Sequence, residues 1–304
     1  MCKLFSKKKE PSLNTIPVYP LSNISHLYRV RKISDFDKTD ISQYGYIQDI
    51  TKIKRYRLNK EGEQVLYTSS YPTIAERETI KEISDFFLIK YRKKTCDDQF
   101  ITFIAIDNNC SKDSKSDTYI LREKLRKDFS SEELKKVDTL RQILEKDYLD
   151  DDKEKYKESS ECASRILKVA DCIITYSKVG GNGNRHLNLT FNKRATDNLL
   201  EIETIYLCKA KEDKTSLLYN IIEIGIPKNS QEVEWFDFEI NTEIANVVQY
   251  NGLVLSAQDI LKLYNKKIMP HVNADINEEQ EQTLNIPSKG TYTLRYSFKL
   301  IPIQ

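Results

Sequence analysis

The sequence predicts an α+β fold: a mixed β-sheet core with flanking helices, followed by a C-terminal αβ extension. Three observations carry that prediction. Apolar or alternating runs of strand length recur at 24–31, 65–67, 100–106 and 172–177. Between them lie segments with apolar residues at helical spacing, such as Ala163, Ile166, Leu167 and Ala170. A hydrophobic share of 39% against a charged share of 31% is polar for a globular chain, yet sufficient for a core.

The totals narrow the classes further. The 304 residues suffice for one large domain or two small ones. Lys+Arg 48 against Asp+Glu 46 leaves a net charge of +2, so no one-signed field points to nucleic acid as a partner. Eight Gly and eight Pro exclude collagen-like and Pro/Gly-rich disordered chains. The six cysteines, Cys2, Cys96, Cys110, Cys162, Cys172 and Cys208, form no Cys-x-x-Cys pair. With His26, His186 and His271 as the only histidines, no zinc or other metal site is expected. Scattered single thiols fit a reducing compartment. The first ten residues lack the apolar core of a secretory signal, and no run approaches about 20 apolar residues. A cytoplasmic protein without a membrane partner is the expectation.

Residues 1–22 are basic and then spaced by Pro11, Pro17 and Pro20, as in a mobile arm. The alternation in 24–31 predicts a strand with Arg29 and Arg31 on one face and Tyr28 and Val30 on the other. Tyr44-Gly45-Tyr46 reads as a loop over a site. The stretch 55–78 is the most informative. Arg55 and Arg57 end a basic strand, Asn59-Lys60-Glu61-Gly62 makes a polar turn, and Val65-Leu66-Tyr67 makes an apolar strand. Thr68-Ser69-Ser70 and Pro72 then read as a helix N-terminus, with the helix beginning near Thr73 and carrying Glu76 and Glu78. Its apolar face is expected to continue through Ile80, Ile83, Phe86 and Phe87. Glu78 lies about 200° around the wheel from Ile80, facing an opening rather than the buried stripe. A plain acidic residue favoured by the helix dipole is the blander account, and it suits Glu76 better. Guanidinium, phenol, hydroxyl and carboxylate thus gather in a strand–turn–helix unit able to grip a phosphate and a ribose.

Farther on, 100–106 is a buried strand and 119–158 reads as charged helices anchored by Leu121, Leu125, Leu140, Ile143 and Leu144. The run from Asp147 to Glu158 is expected to be a solvated linker or exposed helix. A helix then precedes the strand 172–177, which ends in hydroxyls; the glycine-rich 180–184 and the strand 187–191 follow. Those glycines lack the Lys-Ser/Thr of a P-loop and the spacing of a dinucleotide fingerprint, so a turn is their simpler role. Strands are expected at 202–208 and 217–224. The tail holds Trp235-Phe236-Asp237-Phe238, a helix at 257–264 and an alternating strand at 291–300.

Taken together these stretches resemble the RES domain, a family related in shape to ADP-ribosyltransferases and found in NAD-consuming bacterial toxins of RES–Xre type systems. Arg57-Leu58-Asn59, Gly62, Leu66-Tyr67 and Ala75-Glu76-Arg77-Glu78 fall in register with the family pattern. Tyr56 stands where the family usually has Gly, and Leu58 where it has an aromatic. Leu27-Tyr28-Arg29-Val30 looks like the family's opening strand, and Tyr176-Ser177 matches the ends of its Tyr-Pro-Ser without the Pro. The resemblance covers 24–210. It implies an ADP-ribosyltransferase-like NAD-binding domain at 23–210, with the charged helical insertion at 111–158, the arm 1–22 before it and 211–304 packed on it as an extension. It implies NAD as substrate, with Glu78, Arg29, Ser177 and Tyr67 catalytic and with Arg29, Arg57, Tyr67, Ser177 and Asn188 binding NAD. Toxin behaviour and a cognate antitoxin protein are further implications.

The residue types suit that chemistry. Breaking the nicotinamide–ribose bond builds oxocarbenium character on the ribose, as in glycoside cleavage. A fixed carboxylate, Glu78, holds ribose hydroxyls and stabilises the developing charge. Arg29 and Arg57 suit phosphate, and the Tyr67 face suits a nicotinamide cation. Ser177 orients the amide or ribose; with no His in a triad pattern it is not a nucleophile. The expected activity is that of an NAD glycohydrolase or phosphorylase. The alternatives are a protein ADP-ribosyltransferase and a non-catalytic RES-like binding module.

Overall fold

The computed structural model of the protein describes residues 16–21, 26–33, 37–80, 84–95, 99–105, 117–146, 156–176, 187–211, 218–247, 280–286 and 290–303. In chain order the elements are β1 (Tyr19–Leu21), β2 (His26–Lys32), β3 (Val65–Ser69), α1 (Pro72–Thr79), β4 (Phe86–Lys93), β5 (Phe100–Ile104), α2 (Asp117–Asp128), α3 (Ser131–Lys146) and α4 (Tyr156–Ile166). There follow β6 (Cys172–Tyr176), β7 (Leu187–Asn192), α5 (Lys193–Leu199), β8 (Leu200–Lys211), β9 (Leu218–Pro227), β10 (Val233–Val247), β11 (Gln280–Ile286) and β12 (Gly290–Pro302). The protein is thus a mixed α and β fold with mostly antiparallel strands. It divides into a first unit, Met1–Arg31, Ile41–Lys81 and Ile89–Glu203, and a second, Lys32–Asp40, Glu82–Leu88 and Thr204–Gln304.

In the first unit the strands run in the order β1-β5-β6-β7-β3-β2-β4. The β5–β6 pair is parallel, while β1–β5, β6–β7, β3–β7 and β2–β3 are antiparallel. Parallel strands need a long crossover, and the chain between β5 and β6 carries α2, α3 and α4. These helices are charged outside but not idle. Val137, Leu140, Leu144, Cys162, Ala163, Ile166 and Leu167 pack with Phe103, Ile173, Val65 and Leu58 in one buried cluster. Leu121 and Leu125 are buried as well. The apolar anchors read from the sequence therefore hold the helices onto the sheet; residues 147–155 lie outside the described residues.

Two elements depart from expectation. The arm expected at 1–22 ends in structure: β1 pairs antiparallel with β5, Leu21 is buried, and Ile16 and Val18 pack on the apolar cluster, so strand pairing and burial hold this stretch, while 1–15 and 22 lie outside the described residues. The second is α1. The helix after Pro72 ends at Thr79, with the Ile80 N–H donating to the Glu76 carbonyl, and Phe86 and Phe87 begin β4. Residues 86–91 of β4 are buried without alternation, as in a strand covered on both faces. A continuous apolar run of that kind carries no period, so Ile80, Phe86 and Phe87 mimicked a helical stripe.

In the second unit the strands run β8-β9-β10-β12-β11, with the adjacent pairs antiparallel. The expected strands 202–208 and 291–300 are present and longer, and 218–224 of the strand expected at 217–224 fall in β9; Leu217 and the helix expected at 257–264 lie outside the described residues. Trp235, 6% exposed, organises this unit. Its indole Nε1 donates to the Lys38 carbonyl at 2.9 Å, its ring lies 5.8 Å from that of Phe87, and the Lys38 ammonium sits 5.1 Å above it. Lys38 also meets Glu223 at 2.6 Å.

Gly225 stands opposite Trp235 in the β9–β10 register. A Cβ there would lie 2.8 Å from Val233 Cγ1 and 3.1 Å from the Trp235 ring. Gly225→Ala is therefore expected to destabilise the protein by about 1–3 kcal/mol through overpacking, read as a lower melting temperature by calorimetry. An unchanged melting temperature would refute this account of the packing.

Candidate functional site

The site is built on β3. Alternation along this strand puts Val65, Tyr67 and Ser69 on one face. Antiparallel pairing sets Ser69 opposite Asn188 and Tyr67 opposite Thr190 on β7. On either side the row extends: Thr175 of β6 lies opposite Asn188, and Tyr28 of β2 opposite Ser69. Thr175, Asn188, Ser69 and Tyr28 thus form one cross-strand row, and all four line a cavity of about 810 Å³. That size falls within the roughly 300–1,000 Å³ of small-ligand and cofactor sites. Ala75, Glu78 and Thr79 of α1 face the same cavity, as do Arg29, Tyr56, Arg57, Glu63, Tyr67 and Tyr156.

The hydroxyls of 68–70 do not cap α1, as the sequence led one to expect. The N-cap is Tyr71, without a side-chain hydrogen bond, and Pro72 opens the helix. The three hydroxyls instead stitch β3 to β7. Thr68 Oγ1 donates to the Leu189 carbonyl at 3.0 Å, Ser69 Oγ donates to Asn188 Oδ1, and Ser70 Oγ accepts from the Leu187 N–H at 3.0 Å. Strand pairing took the hydroxyls because β7 lies alongside, a partner no local pattern reveals.

Asn188 then reaches across to the helix: its Nδ2 donates to Glu78 Oε1 at 2.7 Å. Glu78 is the penultimate residue of α1. That end of a helix carries partial negative charge, so the dipole does not favour a carboxylate there. What orients Glu78 is Asn188, itself held by Ser69. Glu76 behaves differently. It is 1% exposed, lines no part of the cavity, and neither carboxylate oxygen has a hydrogen-bond partner. Burial pushes its pKa up to about 7, partly offset by Arg77.

The expected basic strand end around Arg57 is a tight turn. Tyr56 and Asn59 exchange backbone hydrogen bonds, N–H to O, at 3.1 and 3.4 Å. Asn59 is buried, and its Nδ2 donates to the Lys54 and Lys60 carbonyls at 3.0 and 2.8 Å. Gly62 follows at φ +73°, a left-handed conformation that glycine adopts without strain. The Tyr67 phenol completes the lock. It donates to Asn59 Oδ1 at 2.9 Å and accepts from the Leu58 N–H at 3.2 Å. Burial holds its pKa well above the ordinary value. Its oxygen is thus engaged by the turn, while Tyr67 as a residue lines the cavity. Asn59, present in the sequence motif but given no role there, fixes the turn that carries Arg57.

Arg29 and Arg31 share one face of β2, as alternation required. Arg29 Nη1 donates to the Gly45 carbonyl at 2.7 Å, and Arg31 Nη1 donates to the Gln43 carbonyl. The Tyr91 hydroxyl adds a bond to the Tyr44 carbonyl at 2.5 Å. Tyr44 and Tyr46 are buried and are not among the cavity-lining residues, so this segment is a packed wall held by arginines rather than an open loop over the site.

Of the residues singled out in the sequence, Arg29, Arg57, Tyr67, Glu78 and Asn188 line one cavity. Ser177 and the glycines 180–183 lie outside the described residues. Among the described residues no cluster of His, Cys, Asp and Glu is placed to hold a metal, and no helix is long and apolar enough to cross a membrane. Cys162, Cys172 and Cys208 are buried free thiols. No family model, curated protein or solved structure matches the chain.

The raised pKa of Glu76 makes stability depend on pH. The unfolded carboxyl ionises near 4.5 and the folded one near 7. As pH rises through that window the unfolded state loses its proton first, and stability falls by an amount on the order of 3 kcal/mol. Glu76→Gln removes the titration. The variant is expected to melt higher than wild type at pH 8 and close to it at pH 4. Equal pH dependence of the two melting curves would refute the assignment.

Proposed function

We propose that the first unit binds NAD in this cavity and cleaves its nicotinamide–ribose bond, as the resemblance to the RES domain implies. One observation carries the reading. Glu78, its carboxylate held by Asn188 at 2.7 Å, lines the same cavity as Arg29, Arg57 and Tyr67. A carboxylate, two arginines and an aromatic face match the parts of the ligand: a ribose, a pyrophosphate and a cationic ring.

In this mechanism Arg57, on its locked turn, takes the pyrophosphate, with Arg29 beside it. The Tyr67 ring faces the nicotinamide. Glu78 accepts hydrogen bonds from the ribose hydroxyls. As the glycosidic bond lengthens, positive charge grows on the ribose and the carboxylate stabilises it more than it stabilised the ground state. Nicotinamide leaves as a neutral molecule, taking the bonding pair. Water, phosphate or a protein side chain then adds to the ribosyl cation. On this reading the sheet is an ADP-ribosyltransferase-like core and the protein works in the cytoplasm, where a cognate antitoxin restrains it.

The test is nicotinamide release from NAD by purified protein. Wild type should release it. Glu78→Gln should lower the rate by about 100-fold or more, the scale on which removing one stabilising group acts. Arg57→Ala should act mainly on KM. No release by wild type, or equal release by Glu78→Gln, refutes the proposal. NAD labelled in its ADP-ribose part identifies the acceptor, since label on protein indicates a protein ADP-ribosyltransferase.

A further inference from the structure

The cross-strand row that orients Glu78 contains one group that the scheme above leaves unused. Within the row Ser69 bonds Asn188, which in turn bonds Glu78 of α1, and Tyr28 has a partner too. Thr175 does not. It is 9% exposed, its Oγ1 is buried, and that oxygen has no hydrogen-bond partner. The residue nevertheless lines the cavity, next to Asn188 on the neighbouring strand.

An orphaned buried hydroxyl costs folding free energy, and valine would fill the same volume without that cost. Cys172, Ile173 and Ile174, which precede Thr175 in β6, are all buried, and Ile173, on the same face by alternation, joins the apolar core. Thr175 is the point at which that face turns from core to cavity. Threonine moves between discrete χ1 wells that exchange its hydroxyl with its methyl, so a polar group arriving at the wall can recruit the hydroxyl. Opposite it stands Asn188, whose amide holds the Glu78 carboxylate, and all three residues line the cavity, a polar corner suited to a sugar with adjacent hydroxyls.

We infer that Thr175 is a ligand-contacting residue of the cavity: its hydroxyl bonds a ribose hydroxyl alongside Glu78 and Asn188, and it remains without a partner until the ribosyl ligand binds. The inference rests on the reading of the cavity as an NAD site, and it adds a contact that fixes the sugar rather than the phosphates or the nicotinamide.

The experiment compares wild type, Thr175→Val and Thr175→Ser by calorimetric titration with NAD and with ADP-ribose, and by melting without ligand. Thr175→Val should weaken both ligands about tenfold, the scale of one lost hydrogen bond. Its unliganded melting temperature should equal or exceed that of wild type, since a buried unsatisfied hydroxyl has gone. Thr175→Ser should bind within about threefold of wild type because the hydroxyl is restored. A purely structural role would lower the melting temperature of Thr175→Val and leave the affinities unchanged, and that result overturns the inference. Equal affinity of wild type and Thr175→Val overturns it while leaving the NAD reading intact. Binding of neither ligand by wild type overturns both.

Discussion

The antiparallel pairing of β3 with β7 is the constraint on which the candidate site depends. Five paired positions, from Val65 opposite Asn192 to Ser69 opposite Asn188, bring residues more than a hundred apart in the chain onto one face. A slip of one residue would turn Tyr67, Ser69 and Asn188 to the other side of the sheet. The hydroxyls of Thr68 and Ser70 hold that register by bonding backbone groups of Leu189 and Leu187. In consequence α1 begins without a side-chain cap and relies on Pro72 and on its packing. That register sets Tyr67, Ser69 and Asn188 on the cavity wall, and through Asn188 it orients Glu78.

Electrostatics in the cavity is local. With a chain charge of +2, no broad field draws an anion in. The lining instead sets Arg29 and Arg57 against Glu63 and Glu78. Each charge is placed by a short-range lock: Arg29 by the Gly45 carbonyl, Arg57 by the Asn59 turn, Glu78 by Asn188, and Glu63 by the Lys60 N–H at 2.8 Å. Arginine suits this arrangement, since its fork holds a carbonyl with one donor and presents others. Preorganised charges of this kind need little rearrangement when charge develops on a bound ligand.

Burial sorts the two glutamates of α1 into different roles. Glu78 shares a helix face with Ala75 and Thr79 toward the cavity, whereas Glu76 is turned into the protein with neither oxygen bonded. Two residues apart on a helix is about 200° of rotation, enough to set one carboxylate at the cavity and to bury the other. The same acid is thus a hydrogen-bonded cavity group at one position and a pH-dependent burden on stability at the other.

Residue order alone determined what depends on local period. Alternation set Arg29 and Arg31 against Tyr28 and Val30, Ala163 and Ile166 of the expected apolar face are buried in α4 while Leu167 and Ala170 are buried just past its end, and the angular offset of Glu78 from Ile80 turned it toward an opening. Three outcomes were decided only by tertiary structure: β4 where helical spacing had suggested a longer α1, the transfer of the Thr68, Ser69 and Ser70 hydroxyls to β7, and the placing of Thr175 beside Asn188. The physical reason is range. Periodicity reports which side of an element is apolar, whereas register, burial on two faces and the partner of a hydroxyl depend on a strand that joins the sheet from elsewhere in the chain.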